Sequence, residues 1–284
     1  MLYLMLQFNP NPEIPARVLA TDLDGTFIPL PANPENRRAL STFHQAQIQR
    51  QISLIYATGR HLESVLDVMG EHGLPEPDWI ICDVGTSIHQ RQNGTYAAFA
   101  PYEIFLAEQT HDIDRAAVES TLKPIAGLTL QPPECQQRFK ISYITAARDV
   151  ESLAALATQC LVAAGLPYAA LASLNPFHNE GLLDILPLGT SKATALIWLA
   201  THADFSPDEV VFAGDSGNDL AALTCGFRAI VVANAAEGLA DRVEDVLATH
   251  GHAQRFFRAT LPATSGVLQG CRHFQLLKGA SPFR

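Results

Sequence analysis

Residues 18–26 read VLATDLDGT: an apolar run leads directly into Asp22 and Asp24, two carboxylates separated by one residue. Two later apolar runs also end in small polar residues, SLIYA at 53–57 before TGR and VVFA at 210–213 before GDSGND. Apolar runs without alternation are typical of strands that are buried on both faces of a parallel sheet. The three runs therefore predict strands of such a sheet.

Helical patterns separate these runs, at 36–49, 62–73 and 191–201. Strands that alternate with helices predict an α/β fold with a Rossmann-like parallel sheet and right-handed crossovers. In such sheets, ligands bind beyond the carboxyl ends of the strands. We therefore expect the polar residues after the three runs to meet at one site.

The middle of the chain, residues 87–185, predicts a different architecture. Short strands and helices are mixed there, with strands expected at 96–102, 139–144 and 182–186 and helices at 114–125 and 150–164. This pattern predicts an inserted α+β cap domain. The segments 1–86 and 186–284 would then form the core together.

Composition excludes several classes of protein. The chain has 284 residues, of which 48% are hydrophobic and 17% charged, and this is typical of a globular chain and not of a disordered one. The net charge of −10 argues against nucleic acid and against anionic membrane surfaces as partners. The apolar segment 1–8 is too short for a signal peptide or a membrane span. Five widely spaced cysteines without a CxxC pair indicate free thiols. Together these features predict a cytoplasmic protein.

The residues after the apolar runs have the chemistry of phosphoryl transfer. The carboxylate of Asp22 can attack phosphorus, and Asp24 can protonate the leaving oxygen and then activate water. Thr26 offers a hydroxyl and a backbone N–H to a phosphate, Thr58 can hold a phosphate oxygen, and Lys192 can offset the added negative charge.

The third motif predicts a magnesium site. Asp215, together with Asp22, would supply the hard oxygen ligands that Mg²⁺ prefers. Asn218 and Asp219 lie close enough in the motif to orient the waters of the metal or the amine of Lys192.

These motifs resemble those of the haloacid dehalogenase superfamily. DLDGT at 22–26, the threonine of ATGR at 57–60, Lys192 and GDSGND at 214–219 occur in the expected order, and the insertion resembles the α/β cap of its sugar phosphatases. A closer resemblance is to the sucrose-phosphate phosphatase family. It rests on ATGRHLESV, PDWIICDVGTSIH, FKISYI, LLDILPLGTSKATAL, GDSGNDLAAL and VANA, and on SGVLQGCRHFQLL at 265–277. DLDGTF stands where that family commonly has DLDNTW.

The resemblance implies a Mg²⁺-dependent phosphatase that acts on sucrose 6-phosphate, phosphorylated on the fructose, through an aspartyl phosphate. It adds the backbone carbonyl of Asp24 to the metal ligands, and it makes a sucrose-phosphate synthase a candidate partner. Further substrate-binding candidates follow from it, namely Gly59, Arg60, Lys140, Ser142 and Asp184. Lys140 and Ser142 share one face of a predicted strand.

Other interpretations remain at this stage. Lys192 could be a solvated lysine at a helix start, Thr58 could cap the helix near His61, and Arg60 could lie at the surface. Lys140 and Ser142 could lie on an exposed sheet face. The alternative functions are a phosphatase for mannosylfructose phosphate or glucosylglycerol phosphate, a sugar phosphomutase, and a non-catalytic partner of a glycosyltransferase.

Overall fold

The computed structural model describes residues 10–11, 13–174 and 180–277. The expectation for the apolar segment 1–8 therefore falls outside the described residues.

The described residues form twelve strands, which are, in chain order, β1 (Val18–Thr21), β2 (Ser53–Ala57), β3 (Trp79–Cys82), β4 (Ser87–Gln92), β5 (Thr95–Ala98), β6 (Thr129–Leu130), β7 (Ile141–Ala146), β8 (Tyr168–Leu174), β9 (Glu180–Pro187), β10 (Val210–Gly214), β11 (Arg228–Val231) and β12 (Phe256–Arg258).

The α-helices of the same residues are α1 (Pro34–Arg50), α2 (Leu62–His72), α3 (Ala100–Gln109), α4 (Arg115–Leu122), α5 (Val150–Ala163), α6 (Lys192–His202), α7 (Leu220–Thr224), α8 (Leu239–Thr249) and α9 (Ala263–His273). No helix among the described residues has the length and apolar character needed to cross a membrane.

The larger sheet has eight strands in the order β12-β11-β10-β1-β2-β3-β4-β5. Its strands from β12 to β3 pair in parallel, and β1 lies between β10 and β2 with every residue buried. The continuous apolar runs of the sequence arise because these strands are covered on both faces. The predicted α/β parallel sheet is confirmed, and the residues after β1, β2 and β10 all lie at its carboxyl edge.

The smaller sheet is antiparallel, with the strand order β6-β7-β9-β8. Val118 of α4 and Leu161 of α5 pack with Leu183 and Ile185 of β9 in one apolar cluster. Alternate residues of β9 supply that cluster, which is the period-2 pattern of a sheet with one covered face. This part of the chain is α+β, as predicted.

The described chain divides into two compact units. The first comprises the described residues of 1–85, 89–97 and 191–284, and the second comprises 86–88 and those of 98–190. The sequence-based boundaries placed 87–97 in the insertion, whereas β4 and β5 extend the larger sheet.

The strand predicted at 96–102 is wrong in its second half. β5 ends at Ala98, and α3 begins at Ala100. Pro101 lies in the first turn of α3, where its fixed φ suits a helix and its missing N–H costs nothing. Tyr102 and Leu106 are the buried residues of this helix, and the aromatic pattern that resembled a strand is its packed side. Strand β8 was not predicted.

Candidate active site

Lys192 connects two buried carboxylates in the first unit. Its Nζ donates to Oδ1 of Asp22 over 2.7 Å and to Oδ1 of Asp219 over 2.8 Å. Ser191 caps α6 through a capping box with Thr194, so that the lysine is the first residue of the helix. Lys192 is 1% exposed, which rules out a solvated lysine at a helix start.

Asp22 directly follows β1, and its backbone N–H donates to the carbonyl of Ala213 at 2.9 Å. This bond connects the ends of β1 and β10, so that Asp22 and Asp215 leave the sheet side by side. Oxygens of Asp22, Asp215 and Asp219 all lie within 4.8 Å of one another. The structure therefore brings together residues that are almost 200 positions apart in the sequence.

Asp219 already has protein donors on both carboxylate oxygens. Oδ1 accepts from Lys192, and Oδ2 accepts from the backbone N–H groups of Asp215 and Ser216, each at 3.1 Å. Asp215 accepts from the hydroxyl of Thr26 at Oδ1, 2.9 Å away. Asp22 and Asp215 are thus the carboxylates with capacity left for a metal.

The electrostatics of the cluster fit a divalent cation. Burial raises the pKa of Asp22, and the charges of Asp219 and Asp215 raise it further, against the lowering effect of Lys192. Burial and then Asp219 raise the pKa of Asp215 to about 6. Burial alone would lower the pKa of Lys192, but the two carboxylates outweigh it and raise that pKa. One lysine cannot neutralise three carboxylates, and an added Mg²⁺ would favour their ionised forms.

Asp24, in the loop after β1, and Arg60, in the loop after β2, form an ion pair. Arg60 donates from Nε and Nη2 to the two carboxylate oxygens of Asp24, each over 2.7 Å, and from Nη1 to the hydroxyl of Ser64, also over 2.7 Å. Two parallel bonds of this kind orient a carboxylate strongly. Arg60 is therefore half-buried on the predicted acid, and is not a free surface side chain.

The remaining predicted residues of the first unit lie in the loops around these carboxylates. Thr58 is 1% exposed, and its hydroxyl accepts from the backbone N–H of Arg60 at 3.2 Å. The cap of α2 is His61, so Thr58 does not cap that helix. Gly59 is exposed beside it, and Asn218 is exposed and accepts a hydrogen bond from the Ser216 hydroxyl.

Three residues predicted to bind the sugar belong to the second unit. Ser142 of β7 pairs with Asp184 of β9, and its hydroxyl donates to Oδ1 of Asp184 at 2.5 Å. Lys140 is 6% exposed and Ser142 is 1% exposed. The alternative of an exposed sheet face is therefore wrong for both.

Comparison with known proteins identifies the family. The model of the sucrose-6F-phosphate phosphohydrolase family matches residues 15–275. The chain belongs to this family. It is therefore an enzyme, a sugar phosphatase with a haloacid dehalogenase-like fold.

Individual relatives agree with this family. A HAD-like hydrolase of Nitrosococcus oceani is 32% identical over 265 residues, which cover 90% of this chain and 71% of the relative. The mannosylfructose-phosphate phosphatase of Agrobacterium fabrum is 28% identical over 263 residues, 92% of this chain and 98% of the relative. The sucrose-phosphatase of Synechocystis has the same fold, with a TM-score of 0.73 at 24% identity over 92% of this chain and 99% of that one.

A turn that the sequence analysis did not predict supports the candidate site. The turn Asp83–Gly85 follows β3, and its backbone N–H groups at Asp83 and Val84 donate to the carbonyls of Arg60 and Thr58. Gly85 has a φ of +98°, and a Cβ there would lie 2.3 Å from the carbonyl oxygen of Ser191. The turn therefore holds the ATGR loop next to the start of the Lys192 helix. The available signal was the glycine after the buried strand in WIICDVG.

A second missed residue, Asn234, connects the loop after β1 to α9. The side-chain amide of Asn234 donates to the carbonyl of Gly25 at 2.8 Å and accepts from the backbone N–H of Ala263 at 2.7 Å. Thr264 adds a bond from its hydroxyl to the carbonyl of Phe27. The C-terminal helix of the described chain thus holds the backbone that carries Asp22 and Asp24.

Proposed function

We propose that this phosphatase hydrolyses sucrose 6-phosphate, with the phosphate on the fructose, to sucrose and inorganic phosphate. The observation that carries the proposal is the position of Asp22, a buried carboxylate at the carboxyl end of the central strand and hydrogen-bonded to Lys192. A phosphoryl group at Asp22 would meet an amine and two further carboxylates within a few ångströms. The family supports the sugar.

The reaction takes two displacements. A carboxylate oxygen of Asp22 forms a bond to phosphorus while the bond between phosphorus and the sugar oxygen breaks, and Asp24 gives its proton to that oxygen. Asp24 then takes a proton from water, the water oxygen bonds to phosphorus, and the bond to Asp22 breaks to release phosphate. The first step leaves a phosphoryl group on Asp22 and Asp24 without its proton, and the second step restores both residues to their starting state.

Magnesium would be held by side-chain oxygens of Asp22 and Asp215, with the carbonyl of Asp24, while Asp219 orients Lys192. When bound, the ion neutralises the negative charge of the phosphoryl group. Lys192 and the hydroxyl of Thr58 hold phosphoryl oxygens for the same reason. Thr26 positions Asp215 through its hydroxyl.

In this mechanism Arg60 exchanges its ion pair with Asp24 for a contact with the substrate. Its two hydrogen bonds hold both oxygens of Asp24, and at least one oxygen must be released for proton transfer to the leaving group. A substrate phosphate is a competing partner for a guanidinium. Arg60 and Gly59 would therefore contact the substrate after the ion pair with Asp24 opens.

Recognition of the sugar is proposed for the second unit. Lys140 has three donors, and Ser142 and Asp184 form a polar pair on a strand pair whose other face is apolar. These are the groups that hydrogen-bond sugar hydroxyls. Asn218, exposed in the first unit, is the further candidate.

A phosphate-release assay tests the proposal. Sucrose 6-phosphate, mannosylfructose phosphate and glucosylglycerol phosphate are compared at equal concentration with Mg²⁺, using kcat/KM as the measure. The highest value for sucrose 6-phosphate supports the proposal. Transfer of the phosphate to another hydroxyl without release would indicate a phosphomutase, and inactivity on the whole panel would indicate a binding role.

Mannosylfructose phosphate is the second candidate substrate. The supporting observation is the similarity to the mannosylfructose-phosphate phosphatase, which extends over nearly the full length of both chains. Both substrates carry a fructose unit, so a preference for either would come from groups that contact the other sugar.

A further inference from the structure

A charged cluster lies at the edge of the larger sheet opposite the active site. Asp208 precedes β10, Arg228 is the first residue of β11, and Arg255 directly precedes β12. These three strands are neighbours and parallel, so the three residues meet at the amino edge. Asp22 and Asp215 leave the opposite, carboxyl edge. The mechanism above uses none of the three.

Arg255 and Asp208 form the structural part of this cluster. Arg255 is 3% exposed, makes an ion pair with Asp208 through Nη1, and donates from Nη2 to the carbonyl of Pro207 at 2.6 Å. Asp208 also accepts from the backbone N–H of Asn11 at 3.0 Å. This pair fastens the segment before β1 to the sheet, and the charge of Arg255 is matched by a carboxylate.

Arg228 has no comparable partner in the part of the chain that the structure describes. It is 7% exposed, it donates from Nη2 to the carbonyl of Ile14 at 2.7 Å, and its guanidinium carbon lies 5.9 Å from the ring centre of Phe274. Among the described residues no carboxylate lies within ion-pair distance of it. Burial, and then the charge of Arg255, lower the pKa of Arg228, and the more weakly acting charge of Asp208 opposes this shift. The described residues supply one neutral hydrogen-bond acceptor for its five donors, and a buried guanidinium in this situation is costly unless an anion satisfies it.

Arg228 lines a cavity of about 150 Å³. Ile14, Phe274 and Arg255 form other parts of its wall, and Glu13, which is exposed, is the acidic residue that lines it. The cavity is large enough for several waters or for one small oxyanion with its hydration. Two arginines line it, and within the described ranges only Arg255 has a carboxylate in ion-pair contact.

We propose that this cavity binds a small oxyanion, a phosphate or carboxylate group, through the guanidinium of Arg228. The planar fork of arginine matches the paired oxygens of such groups, and a contact with an aromatic ring is compatible with this kind of binding. The site is separate from the phosphoryl site, because the two lie at opposite edges of one sheet. The proposal does not depend on the substrate of the enzyme.

Calorimetric titration with inorganic phosphate tests the site. The full chain is compared with Arg228→Gln and with Arg242→Gln, a matched change at an exposed arginine on α8. Phosphate can also bind in the active site, so the difference in phosphate affinity between the two variants measures binding in the cavity. Arg228→Gln should weaken one binding event by about tenfold or more and leave another unchanged, because a hydrogen-bonded charge pair is lost. Acetate, titrated in the same way, distinguishes a carboxylate from a phosphate as the bound group.

A second variant keeps the test decisive if Arg228→Gln does not fold. Glu13→Gln removes a repulsive carboxylate from the cavity wall without changing a buried residue, and it should tighten the event by about twofold to fivefold. Equal stoichiometry and affinity in folded Arg228→Gln and Arg242→Gln would overturn the proposal. So would Glu13→Gln without effect, since Arg228 would then serve only to fasten Ile14.

Discussion

In the proposed mechanism, Asp22 must meet two requirements that conflict in an ordinary carboxylate. It must be buried so that its interactions with a phosphoryl group are strong, and it must stay ionised to act as a nucleophile. Burial raises its pKa, and Lys192 at 2.7 Å opposes that shift. Removing one partner of such a buried pair leaves an uncompensated charge, which typically costs about 3–5 kcal/mol.

Asp22→Asn should abolish hydrolysis of sugar phosphates. An amide is a poor nucleophile and a poor metal ligand, so kcat should fall by on the order of a thousandfold or more. The measurement is phosphate release at saturating substrate. Asp67→Asn, the same change at an exposed position on α2, is the control and should keep full activity. Substantial turnover by purified, folded Asp22→Asn would exclude the aspartyl-phosphate mechanism.

At the level of elements, hydrogen bonds and close contacts between strand ends and helix N-termini set the geometry of the candidate site. The turn Asp83–Gly85 contacts both the ATGR loop and the first residue of α6. Asn234 and α9 hold the loop after β1. These connections contribute no reacting atom, but they determine where Thr58, Asp24 and Lys192 lie.

Gly85→Ala should lower both stability and activity. A positive φ costs an alanine about 1–2 kcal/mol, and the contact of its Cβ with the Ser191 carbonyl adds a further ~1–3 kcal/mol. Gly94→Ala is the matched control, since Gly94 has a φ of +81° but nothing within 4 Å of a Cβ. Urea midpoints and kcat are compared for the two variants. If they lose stability equally, the contact with Ser191 does not matter.

Lys140→Ala tests the second unit as the sugar-recognition element. Loss of a charged hydrogen bond costs about 1.5–3 kcal/mol, which corresponds to a tenfold to hundredfold lower kcat/KM for the sugar phosphate. Hydrolysis of p-nitrophenyl phosphate, which offers no sugar, should hardly change. Lys123→Ala, an exposed lysine in the same unit, is the control. An equal loss with both substrates would assign Lys140 to folding or to phosphate binding.

At the scale of the whole molecule, folding brings several negative charges close together. Three carboxylates of two distant segments come within 4.8 Å of one another, with the amine of Lys192 as their cationic partner. The mutual repulsion of these groups therefore destabilises the folded metal-free chain, and a bound divalent ion would reduce that repulsion.

Activity should require Mg²⁺, and Ca²⁺ should inhibit it. Calcium accepts more ligands at longer distances, which disturbs the octahedral arrangement needed for in-line displacement. The measurement is phosphate release after exhaustive chelation and after stepwise return of each ion. Asp215→Asn should raise the Mg²⁺ concentration needed for half-maximal rate. Full activity of the chelated enzyme would contradict the metal site.

The sequence by itself determined the parallel sheet and the residues of the candidate site. Continuous apolar runs require burial on both faces, and the carboxyl ends of parallel strands lie at one edge. Asp22 and Asp215 could therefore be placed together, and the motif set added Lys192, which is 170 positions from Asp22. The order of the motifs also indicated the family that the comparison then confirmed.

Only the tertiary structure decided which side chains pair with each other. Arg60 was expected on substrate and lies on Asp24, and Gly85 was not expected at the site at all. Pro101 began a helix where an aromatic pattern suggested a strand. The cavity at Arg228 arises from segments near residues 14, 228 and 274, which no local pattern connects. Periodicity reports which face of an element is buried, whereas the partner of a polar side chain depends on distances between elements that are set by packing.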